Sequence, residues 1–281
     1  MEFWLTEKHT TGYSVNWKFT KTVYTEQTKF QHLAVIETEE FGRALVLDGV
    51  IQTTERDEFI YHEMIAHPAL MSHPSPAKVL IIGGGDGGTV KEILKYDTIQ
   101  QVDLVEIDEK VIWASREFLP NVSCGLSDKR VKIFIEDGLK FIKNKQSHYD
   151  IVYIDSSDPV GPAVELFSEG FYKDVYAALK DDGMLVAQTE SPQFNADLVA
   201  EVNKMIRGIF PITGLCLTTI ASYIGGFFTF TIGSKKYNPW EVTVEEEKLK
   251  KMDLKYYNSE IHKASFALPN FVRKLVEGSN Q

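Results

Sequence analysis

The sequence predicts an α/β protein in which a doubly wound parallel sheet follows a small antiparallel β-domain. Three observations carry this expectation. From Lys78 onward, apolar runs of strand length alternate with helix-length stretches, as in parallel strands covered on both faces. Residues 31–54 are instead short β-branched runs punctuated by Gly and Asp, which are hairpin signals. The run Val79-Leu80-Ile81-Ile82 then enters Gly83-Gly84-Gly85-Asp86-Gly87-Gly88, a glycine loop between a strand and a helix.

Residues 13–30 read as strands, followed by strands over 31–36, 43–48 and 50–54, with a turn at Glu40-Phe41-Gly42. A helix is predicted over 57–71, with polar His62 and Glu63 mixed into its pattern and Pro68 expected to end or bend it. Ser72-His73-Pro74-Ser75-Pro76 reads as the linker. Strands then fit 78–82, 101–107, 131–136, 150–154 and 183–189, and helices fit 88–95, 109–118, 138–145, 169–180 and 195–208. The apolar segments 212–220 and 226–233 lie close enough in sequence to pair antiparallel at one sheet edge. The domains are set at 1–65, the N-terminal β-strand domain, and 66–281, the α/β domain.

At 281 residues, 43% hydrophobic and 25% charged, the chain has ample material for a large core. No stretch approaches the roughly 20 apolar residues of a membrane span. The start Met1-Glu2-Phe3-Trp4-Leu5-Thr6-Glu7 lacks the basic and apolar regions of a secretory signal, so a cytoplasmic location is expected. Cys124 and Cys216 show neither metal-ligand spacing nor a disulfide framework and are read as reduced thiols. A net charge of −10 disfavours nucleic acid, which needs clustered Lys and Arg, and suits a cationic ligand.

A glycine loop opening a helix normally offers backbone N–H groups and a positive helix end to a pyrophosphate. Asp86 would repel that anion. The loop therefore suits a nucleoside that is neutral or positive where others carry phosphate. Gly83-x-Gly85-x-x-Gly88 also satisfies the dinucleotide pattern, so a nicotinamide-dependent dehydrogenase is an alternative, without an evident hydride-transfer constellation to support it.

In an open α/β sheet, ligands bind at the carboxyl ends of the strands. Four predicted strands each deliver an acid there: Asp86, Glu106, Asp137 and Asp155. Glu106 lies about 20 residues past the glycines, where an acid accepts hydrogen bonds from ribose hydroxyls, and Asp108 is the expected helix cap. Asp137-Gly138 reads equally as an N-cap or as an approach to a flat ring. Asp155 and Asp158 could be turn residues, yet Val152-Tyr153-Ile154 runs apolar up to Asp155 and places it at the rim. Two acids near an apolar floor can hold one pKa high, as a general base requires. A metal is the weaker reading, because no His is spaced to join them. His62, on a half-buried helix, reads by itself as a packing residue more readily than as a ligand. Segment 156–164 is either a lid or a fixed loop. A nucleoside sulfonium, S-adenosylmethionine or its decarboxylated form, fits all four acids.

Several stretches together resemble the spermidine synthase family of polyamine aminopropyltransferases over nearly the whole chain. They are Leu47-Asp48-Gly49-Val50-Ile51-Gln52, Thr54-Glu55-Arg56-Asp57-Glu58-Phe59-Ile60-Tyr61-His62-Glu63-Met64, the glycine loop, Glu106-Ile107-Asp108, and Asp155-Ser156-Ser157-Asp158-Pro159-Val160-Gly161-Pro162. The resemblance implies a Rossmann-like, methyltransferase-type sheet with the active site beside the N-terminal β-domain. It implies aminopropyl transfer from decarboxylated S-adenosylmethionine, a co-substrate, to putrescine, giving spermidine and 5′-methylthioadenosine without a cofactor or metal. Gln31, Glu106, Asp137, Gly138 and Pro162 would hold the adenosyl donor, with Gln52 nearby. Asp86 would meet the donor's ammonium and the polyamine. Tyr61, His62, Asp155 and Asp158 would line the acceptor channel, with Tyr223 beside Asp155, the proton acceptor. A homodimer or homotetramer is implied. The motifs leave acceptor length open. The competing readings are an S-adenosylmethionine-dependent amine N-methyltransferase on the same sheet and an inert adenosyl-binding module.

Overall fold

A computed structural model describes residues 2–157 and 161–277, with side chains throughout except at 161–163. Five antiparallel strands form the first sheet in chain order: β1 (Phe3–Lys8), β2 (Ser14–Gln27), β3 (His32–Thr38), β4 (Gly42–Leu47) and β5 (Val50–Thr54). The two-residue period of a strand sorts its apolar side chains onto two faces. Ala34, Ile36, Ala44 and Val46 pack with Trp17 on one face. Leu33, Val35 and Leu45 pack on the other against Val111 and Ala114 of the following domain, which fixes the β-domain beside the second sheet.

Helix α1 (Glu58–Ser72) continues through Pro68 and across residue 65. Pro68 therefore does not end it. This helix is buried on nearly every side, and its packing outweighs the backbone bond that proline cannot donate. Glu63 binds the C-terminal tail, accepting the N–H groups of Lys255, Tyr256 and Tyr257 at 2.9, 2.9 and 2.7 Å.

The second sheet comprises β6 (Lys78–Gly83), β7 (Gln101–Glu106), β8 (Val131–Ile135), β9 (Tyr149–Asp155), β10 (Leu179–Gln188), β11 (Ile212–Thr219) and β12 (Phe227–Ser234). Between them lie α2 (Gly88–Ile93), α3 (Glu109–Phe118), α4 (Gly138–Ile142), α5 (Glu169–Ala178) and α6 (Ala196–Ile209). The spatial order is β11-β12-β10-β9-β6-β7-β8, with β10, β9, β6, β7 and β8 parallel. The last two strands form the expected antiparallel edge. Beyond them, α7 (Glu246–Leu249), α8 (Ser259–Ser265) and α9 (Asn270–Glu277) complete the described chain.

In the α/β domain two boundaries differ from expectation by three residues or more. Strand β10 begins at Leu179, four residues before 183, because an irregularity in register between Leu179 and Met184 accommodates the polar run Lys180-Asp181-Asp182-Gly183. Helix α4 stops at Ile142, short of 145. Among the described residues no helix is long and apolar enough to cross a membrane.

Candidate active site

From β6 the chain winds through β7 and β8 on one side, then returns to place β9 on the other. That reversal opens a crevice at the carboxyl ends of β6 and β9, the position where open α/β sheets bind ligands. Gly83 pairs with Asp155 across it. The glycine loop is shaped by the acids and imidazole that it touches. A Cβ on Gly83 would collide with the Asp155 carbonyl, and one on Gly84 would lie 2.7 Å from Asp155 Oδ2. At Gly85 it would lie 2.8 Å from Glu106 Oε2, and at Gly88 it would enter the His62 ring. Backbone approach, rather than turn flexibility alone, demands glycine here.

Asp155 ends β9 with its carboxylate buried beneath the loop. Tyr61 Oη donates to Oδ1 and Thr89 Oγ1 to Oδ2, each at 2.6 Å. Burial and the neighbouring Asp86 charge push its pKa up, and the His62 charge and the two hydroxyls offset only part of that rise. Its carboxylate is therefore a stronger base than an ordinary aspartate.

Asp86 goes the other way. Burial works to raise its pKa, but the His62 imidazolium and the Gly88 N–H, donating to Oδ1 at 2.9 Å, bring it below the usual aspartate value. His62 is 1% exposed, with Nδ1 at 2.6 Å from Glu58 Oε2 and Nε2 at 3.4 Å from Asp86 Oδ2. Burial opposes its protonation, yet the two carboxylates hold the imidazolium up to about 10. His62 thus underlies Asp86 with both ring nitrogens engaged. Sequence reasoning passed over Glu58 and Thr89. Glu58 was signalled by its spacing four residues before His62, which puts both on one helix face. Nothing in the sequence marks Thr89.

Glu106 ends β7 with no cation beside it. Burial is the main cause of a pKa raised to about 7, although backbone N–H groups of Asp108, Ile107 and Gly85 oppose the rise. Asp108 caps α3 as expected, accepting from Lys110 N at 3.1 Å. Its other oxygen takes Thr28 Oγ1 at 2.7 Å and Gln31 Nε2 at 3.1 Å, so Gln31 reaches from the β-domain to the edge of the Glu106 pocket. Asp137 caps α4 through Leu139 N at 2.9 Å. Gly138 lies so close to Ile82 that a Cβ there would collide with it.

Tyr223 Oη donates to the Gln52 carbonyl at 2.7 Å, and its ring stands 5.7 Å from that of Tyr61. Its hydroxyl is thus turned to the β-domain, and the Gln52 amide donates to Val50 O at 3.3 Å. Asp57 holds the Tyr223 turn by accepting Ser222 N at 2.9 Å. Gln188, at the end of β10, donates to Ser156 O at 3.0 Å and steadies the backbone just past Asp155. Asp158 lies outside the described residues, as does the Pro162 side chain, so the 156–164 segment is described only in part.

Away from this crevice, His73, Asp150 and Asp182 bring metal-ligand atoms within 4.8 Å of one another. Asp150 lies near the start of β9, at the opposite end of that strand from Asp155, with the Lys180 ammonium at 2.7 Å. Cys124 and Cys216 are free thiols.

A methyltransferase-like sheet with a rim of acids at its switch point defines the class, a transferase. Residues 58–245 match the spermine/spermidine synthase domain, and residues 3–55 match the spermidine synthase tetramerisation domain. Polyamine aminopropyltransferases of Caldicellulosiruptor saccharolyticus and Bacillus subtilis are 52% and 49% identical over 277 and 276 residues, covering 99% and 98% of this chain and 99% of each relative. A spermidine synthase crystallised with the transition-state analogue AdoDATO superposes with a TM-score of 0.94 at 40% identity, covering 98% of this chain and 95% of that one. The Thermotoga maritima spermidine synthase gives 0.93, also at 40% identity, covering 98% and 94%. The chain belongs to the spermine/spermidine synthase family and is an enzyme of the polyamine aminopropyltransferase class.

Proposed function

We propose that this chain transfers the aminopropyl group of decarboxylated S-adenosylmethionine to putrescine, with Asp155 taking the proton. The observation that carries this reading is the pair of unlike carboxylates at the switch point, Asp86 kept ionised and Asp155 made basic. The full-length relatives named polyamine aminopropyltransferase support it, as does the likeness to a spermidine synthase that holds AdoDATO.

An alkyl ammonium has a pKa of about 10.4, judging by lysine, so putrescine arrives as a dication. Asp155 accepts a proton from the attacking end and frees its lone pair. The nitrogen then bonds to the aminopropyl carbon as the carbon–sulfur bond breaks, and that electron pair leaves on sulfur as the neutral thioether of 5′-methylthioadenosine. Holding both reactants in line supplies much of the rate. The sulfonium leaves without assistance, so the step requires neither metal nor cofactor. Asp158 would hold the acceptor, and Tyr61 orients Asp155.

Glu106 would accept the ribose hydroxyls, with Gln31, Asp137, Gly138 and Pro162 around the adenosyl group. Asp86 would take the donor's ammonium, where the carboxylate of ordinary S-adenosylmethionine would meet like charge. The match of residues 3–55 to a tetramerisation domain supports assembly through the β-domain, as a homodimer or homotetramer on our reading, and the expected location is the cytoplasm. Incubation with putrescine and either donor, followed by mass analysis, tests the reading. Spermidine from the decarboxylated donor is expected, and methylputrescine from the ordinary one would overturn it.

A further inference from the structure

We infer that Glu58 is a positioning residue for donor recognition: it takes up the positive charge of His62 so that the charge of Asp86 stays available to a cationic substrate. This rests on the reading that Asp86 meets the donor's ammonium. Four groups of alternating sign run inward from the surface. Lys91 Nζ lies 2.6 Å from Glu58 Oε1, Glu58 Oε2 lies 2.6 Å from His62 Nδ1, and His62 Nε2 lies 3.4 Å from Asp86 Oδ2. Glu58 and His62 come from α1 at four-residue spacing, Lys91 from α2, and Asp86 from the loop between β6 and α2.

Both acids hold the imidazolium, Asp86 by its charge and Glu58 by the shorter contact. The imidazolium is 0.8 Å nearer to Glu58 than to Asp86, by difference of 3.4 and 2.6 Å, so its tighter partner is the acid that faces away from the crevice. Glu58 is drawn down to about 2 against its own burial, by His62 and Lys91, and remains anionic throughout. The outer three groups, Lys91, Glu58 and His62, sum to a single positive charge, with the cation at the outer end set beside a surface cavity of about 230 Å³ that Glu58 and Lys91 help to line. Asp155 on β9 also feels the His62 charge, and the Tyr61 ring stands edge-on to His62 at 5.3 Å.

Removing the Glu58 charge leaves His62 only Asp86 as a close anion. While His62 keeps its proton it closes on Asp86 and neutralises it, which weakens the hold on a cation and spares a ligand that has none. Above the pH at which His62 then loses its proton, the Asp86 charge is free again. The test is Glu58→Gln, titrated with decarboxylated S-adenosylmethionine and with methylthioadenosine, which lacks the ammonium. About a tenfold loss is expected for the cationic ligand, the scale of one charge-assisted hydrogen bond, with methylthioadenosine unmoved. The donor KM should rise with kcat little changed, and kcat/KM should gain an ionisation between about pH 7 and 9 that the native enzyme lacks. Lys91→Met, which removes the cation that competes with His62 for Glu58, should shift the same ratio in the opposite direction by about threefold.

Equal losses for both ligands, or an unmoved ratio and pH profile in a folded Glu58→Gln protein, would overturn the inference. Nitrogen NMR of the native chain stands apart from folding of any variant: His62 should be an imidazolium at pH 8, and a neutral ring there would also overturn it. If the native enzyme makes no spermidine from these substrates, it is the functional reading that fails.

Discussion

The loop after β6 and the end of β9 present two aspartates in one crevice with opposite acid strengths. Both are partly buried, and burial alone would raise both. Asp86 has an imidazolium beneath it and a backbone N–H on its oxygen, while Asp155 has two neutral hydroxyls and faces the charge of Asp86. On the proposed reading, the carboxylate that would bind a cation is kept ionised and the one that would accept a proton is kept basic. The first acid supplies part of the repulsion that makes the second a base. Glu106 is the third case, an acid raised to about 7 that would meet only hydroxyls.

The contrast can be broken most severely at Asp155. Asp155→Asn is expected to lower kcat by about a thousandfold, within the range for loss of a general base, while methylthioadenosine still binds in a calorimetric titration. Retention of kcat within a few-fold would remove Asp155 from the proton path. Next, Asp86→Asn should weaken decarboxylated S-adenosylmethionine about thirtyfold and methylthioadenosine far less, since only the former carries the ammonium. Equal losses would show that Asp86 shapes the loop rather than reads charge.

Glu106 sharpens the contrast through pH. Below its pKa of about 7 the free side chain is protonated, so methylthioadenosine affinity should rise from pH 6 to 8 and then level off. The gain should be several-fold and vanish in Glu106→Gln. Because folding raises this pKa, Glu106 binds its proton more tightly in the folded chain. Its contribution to stability is fully present below the ordinary carboxylate range of about 4.3 and is lost as pH rises to about 7. Urea midpoints compared between native and Glu106→Gln across that window check the sign. The smallest effect is expected from Tyr61→Phe, which deletes one neutral donor to Asp155 and should cost about fivefold in kcat, with donor KM unchanged.

Asp155 and Glu106 were legible because an apolar run leads directly into each carboxylate at its strand's end. Val152-Tyr153-Ile154 before Asp155 and Leu104-Val105 before Glu106 give the strand, its direction and the acid at its carboxyl end. The antiparallel edge at β11 and β12 was legible from two apolar runs joined by a short connection. Pro68 misled because tertiary packing, invisible in the local pattern, carries α1 through it. The short C-terminal helices carry little period of their own, and their approach is held by Glu63, 192 to 194 positions away in sequence. Thr89 takes its meaning from Asp155, which only the folded crevice brings near, whereas Glu58 could have been read from its helical spacing to His62. His62 was read as a ligand through family resemblance, and the structure adds what lies behind it, an acid on each ring nitrogen.

The packing of the loop glycines has a consequence for descent. Positions 83, 84, 85 and 88 have room for no side chain because Asp155, Glu106 and His62 fill the space. Loop and side chains therefore form one heritable unit: a lineage that trims His62 to a smaller residue frees position 88 to grow. One that enlarges position 84 must first give up the aspartate it crowds.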